Sequence, residues 1–254
     1  MKVLSKIFMA HFRLAAGCLR YVCGRFMISI IIPTFNEAKK IAATIESLLN
    51  KNDKKNIEEI IIADGGSIDN TVEIATDLNA KSIIVTGKNR AAQLNAAAHI
   101  AKGSILLFLH ADSFAPTGYT VKIIEAINHN YQSGCFRLRF DHNHWFLKAN
   151  AWFTKFDVNA IRFGDQGLFV TKDVFKKSGG YDENLFIMED QEIIHRLKKY
   201  SSFKVLNAYI TTSSRKYLAN GIYKTQGTFF IIWLCYYLGI SQQRLLKLYR
   251  KLSR

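Results

Sequence analysis

The sequence EEIIIADGGSID, residues 58–69, places a glycine-rich turn directly after an apolar run that is typical of a buried strand. The run ISIII at residues 28–32 leads in the same way into PTFNE, and SILLFL at residues 104–109 leads into His110 and Asp112. Short apolar strands that alternate with helical patterns indicate βαβ units and a mainly parallel sheet. We therefore expect an α/β fold, with helices over residues 38–50, 70–79 and 91–101.

Acidic residues stand where three of the apolar segments end. Asp64, Asp112 and Asp190 each follow such a segment directly or within a few residues. Crossovers in a parallel sheet are almost always right-handed, so the turns after its strands lie on one edge. Open α/β sheets bind their ligands at that edge. The three carboxylates therefore predict a site for a cation and a polyoxygenated substrate.

The composition limits the class of protein. A chain of 254 residues is long enough for one large α/β domain with a full core, or for two small ones. It contains only two prolines and no low-complexity linker, which favours a single domain with a C-terminal appendage. The four cysteines show no CxxC spacing, which argues against a zinc site or a disulfide framework.

The net charge of +15 is concentrated at the two ends of the chain. Residues 1–26 hold five Lys or Arg and residues 201–254 hold nine, and neither stretch contains an Asp or Glu. These basic residues are interleaved with apolar stretches, a pattern that favours an anionic membrane surface over nucleic acid. We expect a peripheral protein on the cytoplasmic, inner face of the cell membrane, with no nucleic-acid partner.

Residues 216–254 predict a helical tail that associates with a membrane. The apolar stretch Phe229–Leu238 is well short of the about 20 residues that span a bilayer, but its aromatic residues suit the headgroup region. The predicted helix Gln242–Leu252 carries Leu245 and Leu248 on one side and basic residues on the others. This pattern is typical of an amphipathic helix at a membrane interface, and also of a terminal helix that docks on its own domain.

The domain that bears the site is expected over residues 27–215. The preceding residues 1–26 are basic and moderately apolar, and arginines interrupt any apolar core of the signal-peptide type. Met27 stands immediately before the first strand. Residues 1–26 are therefore either a leader that touches the membrane or an over-extended start of the reading frame, with Met27 as the true first residue.

Several motifs occur in the order that is typical of family 2 glycosyltransferases. They are IIIPTFNE at residues 30–37, DGGSIDNT at 64–71, GGYDE at 179–183 and EDQEI at 189–193. The resemblance extends over roughly residues 28–200, and LHADS at 109–113 with GDQ at 164–166 resembles a bacterial subgroup. It implies the GT-A fold, in which a nucleotide-binding sheet is flanked by helices.

The resemblance also implies a nucleotide-sugar site and a metal site. A divalent cation, Mg²⁺ or Mn²⁺, neutralises the departing diphosphate as a Lewis acid, and Asp112 is its expected ligand. The family usually has Asp-x-Asp here, whereas this chain has His110, which is expected to reach a ribose hydroxyl. Asp64 is expected to accept from the nucleotide base. The residues expected to bind the nucleotide sugar are Pro33, Thr34, Glu37, Asp64, Gly65, Arg90, His110 and Ala111.

Asp190 is the expected general base. An inverting displacement needs one carboxylate that takes the proton of the acceptor hydroxyl as its oxygen attacks the anomeric carbon. Glu189 is expected to orient that base or to bind the acceptor. Asp165, Gln166 and Arg215 are expected on the acceptor or diphosphate side of the same cleft.

These expectations describe an inverting glycosyltransferase that moves a single sugar from a nucleotide-sugar donor to an acceptor hydroxyl. The Gln-x-x-Arg-Trp signature of processive members is absent, which favours single transfer over polymer synthesis. The sequence does not identify the acceptor, and a lipid-linked molecule would suit the membrane location. Two alternatives stay open: a sugar-1-phosphate nucleotidyltransferase, which needs a Gly-x-Gly-Thr-Arg type of loop after the first strand, and a non-catalytic membrane-associated protein that retains the fold.

Overall fold

The computed structural model of the protein describes residues 26–50, 52–85, 89–162 and 164–253. Apart from Phe26, the predicted basic leader or over-extended start lies outside these ranges. Within them, a mixed eight-stranded sheet carries helices on both of its faces. The α/β class and the GT-A type of architecture that were predicted from the sequence are confirmed.

The sheet has a parallel half and a mixed half. Its strands are β1 (Ile28–Thr34), β2 (Ile57–Asp64), β3 (Lys81–Ile84), β4 (Ile105–Phe108), β5 (Ser113–Phe114), β6 (Ser133–Phe140), β7 (Leu168–Thr171) and β8 (Phe203–Thr212). They lie in the order β3-β2-β1-β4-β7-β6-β8-β5. The first four pair in parallel. In the second half β7 is antiparallel to β4 and β6, β8 is parallel to β6, and β5 is antiparallel to β8.

The helices cover both faces of the sheet because its central strands are apolar on both faces. They are α1 (Ala38–Leu48), α2 (Thr71–Asp77), α3 (Arg90–Ile100), α4 (Tyr119–Asn128), α5 (Trp145–Phe153), α6 (Lys172–Lys177), α7 (Glu189–Tyr200), α8 (Arg215–Asn220), α9 (Ile222–Tyr237) and α10 (Gln242–Leu252). Side chains alternate along a strand. In β1, Ile30 and Ile32 therefore pack with α1 and α4, while Ile31 packs with α3, α6 and α7. A strand buried on both faces needs such a near-continuous apolar sequence.

The register of the central strands brings their carboxyl ends together. Thr34, the last residue of β1, lies opposite Asp64, the last residue of β2. On the other side of β1, Ile31 lies opposite Phe108, the last residue of β4. The turns that follow these strands consequently open on one edge of the sheet, as the sequence predicts.

The C-terminal helices form a small layer on the domain. Helix α10 has the predicted bounds, and Leu245 on its apolar side is fully buried. The ring of Tyr249 in α10 stacks on the ring of Phe229 in α9, with 6.5 Å between their centroids. In the structure, the apolar side of α10 therefore packs on the protein's own domain. No helix in the described part of the chain is long and apolar enough to cross a membrane.

Candidate active site

The carboxylate of Asp64 holds the turn after β2 together. Its Oδ1 accepts hydrogen bonds from the backbone N–H groups of Gly66 and Ser67, at 2.8 and 2.7 Å. Its Oδ2 accepts from the hydroxyls of Thr34 and Ser67, at 2.9 and 2.6 Å. Burial alone would raise the pKa of Asp64, but these donors lower it below its ordinary value. The four acceptor positions of the carboxylate are thus occupied within the protein.

This turn is also where the nucleotide base was predicted to bind. A base N–H would have to share an oxygen of Asp64 with the present donors or replace one of them. The N–H of Gly65 donates to the carbonyl of Thr34 at 2.9 Å. A Cβ at Gly65 would lie 2.5 Å from Nε2 of Gln93, so packing against α3 favours glycine there. Pro33, also predicted to line the base, is half-buried in β1 next to Thr34.

His110, at the end of β4, forms an ion pair with Asp165. Its Nδ1 lies 2.6 Å from Oδ1 of the Asp165 carboxylate. Burial would lower the pKa of His110, but the adjacent carboxylate raises it above its ordinary value. Burial would likewise raise the pKa of Asp165, but the imidazolium lowers it. His110, which occupies the position of the usual aspartate, is therefore paired with a carboxylate, Asp165, that is distant in the sequence.

Arg90 contacts both carboxylates of the predicted catalytic pair. One guanidinium nitrogen of Arg90 lies 2.7 Å from Oε1 of Glu189 and also bonds Oδ2 of Asp190. Burial would lower the pKa of Arg90, but the two carboxylates raise it. Burial raises the pKa of Glu189 even though the guanidinium opposes the shift. Arg90 was expected to meet ribose or phosphate, and in the structure it joins the start of α3 to the start of α7.

Gly164 lies where these two ion pairs approach each other. A Cβ built on Gly164 would fall 2.2 Å from Oδ2 of Asp190 and 2.7 Å from Nε2 of His110. Both distances are shorter than any real contact of a methyl group. The backbone of Gly164 thus fills the space between the imidazole and the predicted base, and a larger residue does not fit there without movement.

Replacing Gly164 by alanine is expected to lower the rate of sugar transfer by about tenfold, because the methyl group must displace Asp190 or His110 from its position. Steady-state kinetics measure this change. The matched control is Gly227→Ala in α9, where an added Cβ meets nothing within 4 Å. The control should keep the parent rate and gain about 0.5–1 kcal/mol of stability. A parent-like rate for Gly164→Ala would contradict the importance of this close packing.

A second group of charges surrounds Asp112. Its Oδ2 lies 3.9 Å from Nζ of Lys40 and 3.9 Å from a guanidinium nitrogen of Arg215. The same guanidinium lies 3.4 Å from Oε1 of Glu37. Within the described ranges no hydrogen bond reaches the carboxylate of Asp112, which is 23% exposed and so accessible to a ligand. This group joins the turn after β1, the turn after β4 and the segment after β8.

Two predicted site residues have their polar groups engaged within the protein. The side chain of Gln166 was expected to face the cleft, but it is buried, and its Nε2 donates to the carbonyl of Phe136 at 3.0 Å. The carbonyl of Ala111 accepts a hydrogen bond from the hydroxyl of Thr44 at 2.6 Å. The structure therefore brings together two clusters at the cleft, which are Arg90, His110, Asp165, Glu189 and Asp190, and Glu37, Asp112 and Arg215.

Sequence reasoning missed Lys40 and Gln93. The Nζ of Lys40 donates to the hydroxyl of Ser213 at 2.8 Å, close to Asp112. The amide of Gln93 donates to the carbonyl of Thr34 at 3.2 Å. A signal for Lys40 was present, because it occupies the first turn of the helix that follows Glu37. Gln93 carries no comparable signal, since its role depends on how α3 packs beneath the turn.

Comparisons with known proteins identify the family to which the sequence is similar. Residues 29–177 match the family model described as Glycosyl transferase family 2. The dolichyl N-acetyl-alpha-D-glucosaminyl phosphate 3-beta-D-2,3-diacetamido-2,3-dideoxy-beta-D-glucuronosyltransferase of Methanococcus voltae is 24% identical over 254 residues, covering 82% of this chain and 77% of that protein. The Escherichia coli UDP-Glc:alpha-D-GlcNAc-diphosphoundecaprenol beta-1,3-glucosyltransferase WfaP is 39% identical over 92 residues, covering 35% of this chain and 36% of that protein.

Solved structures share the fold. The crystal structure of S. aureus TarS 1–349 superposes with a TM-score of 0.62 at 17% identity, and covers 75% of this chain and 61% of that one. The mannosyltransferase PcManGT of Pyrobaculum calidifontis was solved in complex with GDP-Man and Mn²⁺. It superposes with a TM-score of 0.61 at 14% identity, and the match covers 80% of this chain and 63% of that one. This chain thus spans less than two thirds of either structure.

Proposed function

Because this chain belongs to glycosyl transferase family 2, we propose that it transfers a single sugar from a nucleotide-sugar donor to an acceptor hydroxyl, with inversion at the anomeric carbon. The observation that carries the proposal is the position of Asp190, which contacts Arg90 and lies across Gly164 from His110. An acidic residue of the acceptor-side motif thereby meets residues of the donor-side motifs in one cleft.

Asp190 acts in this proposal as the single general base. One carboxylate takes the acceptor proton while the acceptor oxygen attacks the sugar from the side opposite the leaving diphosphate. Its Oδ2 bonds Arg90, and no described residue donates a hydrogen bond to its Oδ1. Oδ1 is thus available for the acceptor hydroxyl. Glu189 shares the charge of Arg90, so Arg90 holds both carboxylates in place.

Asp112 fits a divalent cation, Mg²⁺ or Mn²⁺, as one hard oxygen ligand. Such a cation is commonly held by one or two carboxylates together with substrate phosphates and water. In the described ranges, no three His, Cys, Asp or Glu side chains are grouped so as to hold a metal ion by themselves. The donor diphosphate would therefore complete the coordination, and the bound cation would supply Lewis-acid neutralisation of the leaving group.

Basic side chains around Asp112 provide further charge for the diphosphate. The guanidinium of Arg215 is 58% exposed, and its ion pair with Glu37 is 3.4 Å long. Because an exposed ion pair contributes little stability, Arg215 can leave Glu37 and turn toward a ligand at little cost in free energy. Lys40 also lies near Asp112, and its Nζ donates to the hydroxyl of Ser213. His110 keeps Nδ1 on Asp165, which leaves Nε2 to donate to a donor hydroxyl. These residues bind and orient the donor in the proposal.

The acceptor is proposed to be lipid-linked, and the protein to work at the anionic inner face of the cell membrane. The names of the two relatives describe acceptors on dolichyl phosphate and on diphosphoundecaprenol. Residues 201–254 contain nine basic and no acidic residues. The sugar-1-phosphate nucleotidyltransferase alternative gains no support, because Pro33 and Phe35 stand where its glycine-rich loop is required.

A thermal-shift screen of nucleotide sugars with Mg²⁺ or Mn²⁺ tests the proposal. At least one nucleotide sugar should raise the melting temperature only in the presence of the cation, since binding stabilises the folded state. Asp112→Ala should remove this cation dependence, while the exposed Asp77→Ala on α2 serves as the matched control and should keep it. A panel without any shift would contradict the proposed activity, and an unchanged cation response in Asp112→Ala would remove that residue as the ligand.

A further inference from the structure

Helix α9 exposes most of its large apolar residues and buries two threonines and one isoleucine. Thr225, Thr228 and Ile232 on its inner side are buried. Phe230 is 59% exposed and Leu238, just after its last turn, is 71% exposed. The exposed residues follow the spacing of one helix face. We define this face as the α9 stripe, formed by Tyr223, Phe230, Ile231, Leu234, Tyr237 and Leu238.

Helix α5 extends the exposed apolar surface. Trp145 is 66% exposed and Trp152 is 53% exposed, and both lie on the same side of α5 as Phe153. On the flank of α5, the ring of Phe146 lies 5.0 Å from that of Tyr223 in α9. The side-chain amide of Asn150 in α5 also donates to the side-chain oxygen of Gln226 in α9 at 3.4 Å, so the two helices contact each other at more than one point. We call Trp145, Trp152, Phe153 and the neighbouring Phe156 the α5 stripe.

The charge around the stripes favours one kind of occupant. The basic residues of helices α8 to α10 are exposed, namely Arg215, Lys216, Lys224, Arg244, Lys247, Arg250 and Lys251. No acidic residue occurs between residues 201 and 254. A second copy of the chain would bring one basic rim against another, which is unfavourable. Tryptophan, tyrosine and lysine beside apolar side chains instead suit the headgroup region of an anionic bilayer.

Two hydrogen-bonded links join helices α10 and α9 to the segment around Glu189 and Asp190. The side-chain oxygen of Gln242 in α10 accepts from the backbone N–H groups of Phe186 and Ile187, at 3.0 and 3.2 Å. The hydroxyl of Tyr237 lies 3.4 Å from the side-chain oxygen of Gln191. These contacts flank Glu189 and Asp190 in the sequence. The surface therefore borders the segment that carries the base.

We propose that the α9 stripe and the α5 stripe form one lipid-docking surface that seats in the headgroup region of an anionic membrane and turns the acceptor side of the cleft toward it. Helix α10 contributes charge from its outer side, while its apolar side stays packed on α9. This inference rests on the proposed function for the identity of the acceptor. The sequence pattern suggested the apolar side of α10 as the membrane contact, whereas the proposed surface lies on α9 and α5.

Flotation with lipid vesicles tests the surface directly. The protein should float with vesicles of phosphatidylcholine and phosphatidylglycerol, and much less with phosphatidylcholine alone. The triple variant Phe230→Ser, Leu234→Ser and Leu238→Ser should lower vesicle affinity at least about tenfold, because binding scales with the apolar area inserted. The matched control replaces Ile84, Val121 and Tyr200 by serine, which are exposed apolar or aromatic residues on β3, α4 and α7. It should bind like the parent.

The outcomes separate the surface from the proposed activity. Equal vesicle binding by the parent and the stripe variant, or no binding by the parent, would overturn the docking surface. So would a dimer in sedimentation analysis that the stripe substitutions dissociate, because the occupant would then be a second copy. Vesicle binding needs neither donor nor acceptor, so Asp190→Asn should bind vesicles like the parent. Thermal melting checks that both triple variants are folded.

Discussion

Replacing Asp190 by asparagine is expected to lower kcat for sugar transfer by about two to four orders of magnitude, the usual contribution of a positioned general base. Asparagine has nearly the same shape and can still accept a hydrogen bond from Arg90. It cannot take a proton from the acceptor hydroxyl. Binding of the nucleotide sugar should remain nearly unchanged, because the proposed role of Asp190 is on the acceptor side of the cleft.

The measurement is kcat from steady-state kinetics together with donor affinity from calorimetry. The matched control is Glu192→Gln in the same first turn of the helix, whose carboxylate pairs with Arg196 at 2.5 Å. The control should transfer sugar at close to the parent rate. Equal losses of donor affinity and of kcat in Asp190→Asn would assign Asp190 to binding and would remove it from the role of the base.

Replacing Arg90 by methionine is expected to lower the free energy of unfolding by about 2–3 kcal/mol at neutral pH. Removing one partner of a fully buried ion pair costs about 3–5 kcal/mol, and the loss is smaller here because Arg90 is 33% exposed. The variant leaves Glu189, whose side chain is only 7% exposed, next to Asp190 without a counterion. Denaturant unfolding measures the change, and transfer activity should fall with it because Asp190 loses its anchor.

The loss of stability in Arg90→Met is expected to depend on pH in a definite direction. Burial already raises the pKa of Glu189, and removal of the guanidinium raises it further. The cost of the substitution should therefore be complete above that raised pKa. It should shrink as the pH falls toward the ordinary value for glutamate, because a protonated carboxyl needs no counterion.

Two further variants distinguish the ion pair from simple packing. Arg215→Met is the matched control, since Arg215 is 58% exposed and its ion pairs are 3.4 and 3.9 Å long. It should lose no more than about 0.5 kcal/mol. Adding Glu189→Gln to Arg90→Met should recover part of the lost stability. If the double variant is no more stable than Arg90→Met, the buried charge is not the cause.

Local patterns in the sequence were sufficient to predict the order of the elements and the edge of the sheet at which the candidate site lies. The apolar runs before Asp64 and Asp112 predicted β2 and β4, and the alternation with helices predicted parallel pairing in that half of the sheet. These predictions were correct because hydrophobic periodicity and glycine-rich turns depend on only a few neighbouring residues. The motifs identified the family, and the predicted helix over Gln242–Leu252 has the same bounds in the structure.

Which side chains meet at the cleft depends on long-range packing, and the sequence patterns did not predict it. Arg90 and Asp190 are 100 residues apart in sequence, and their contact depends on how α3 and α7 pack against the same face of the sheet. The pairing of His110 with Asp165 and the burial of Gln166 follow from the packing of residues 164–166 against the end of β4 and the middle of β6. Local propensity contains no information on such contacts.

The C-terminal helices show the same limit most clearly. The spacing of Leu245 and Leu248 correctly predicted that α10 has an apolar side, but a periodic pattern does not identify what covers that side. In the structure the protein itself buries Leu245, and α9, which has no pronounced polar face in sequence, turns Phe230 and Leu234 outward. Sequence periodicity fixes the amphipathic face of a helix, whereas the burial of that face is decided by the rest of the fold.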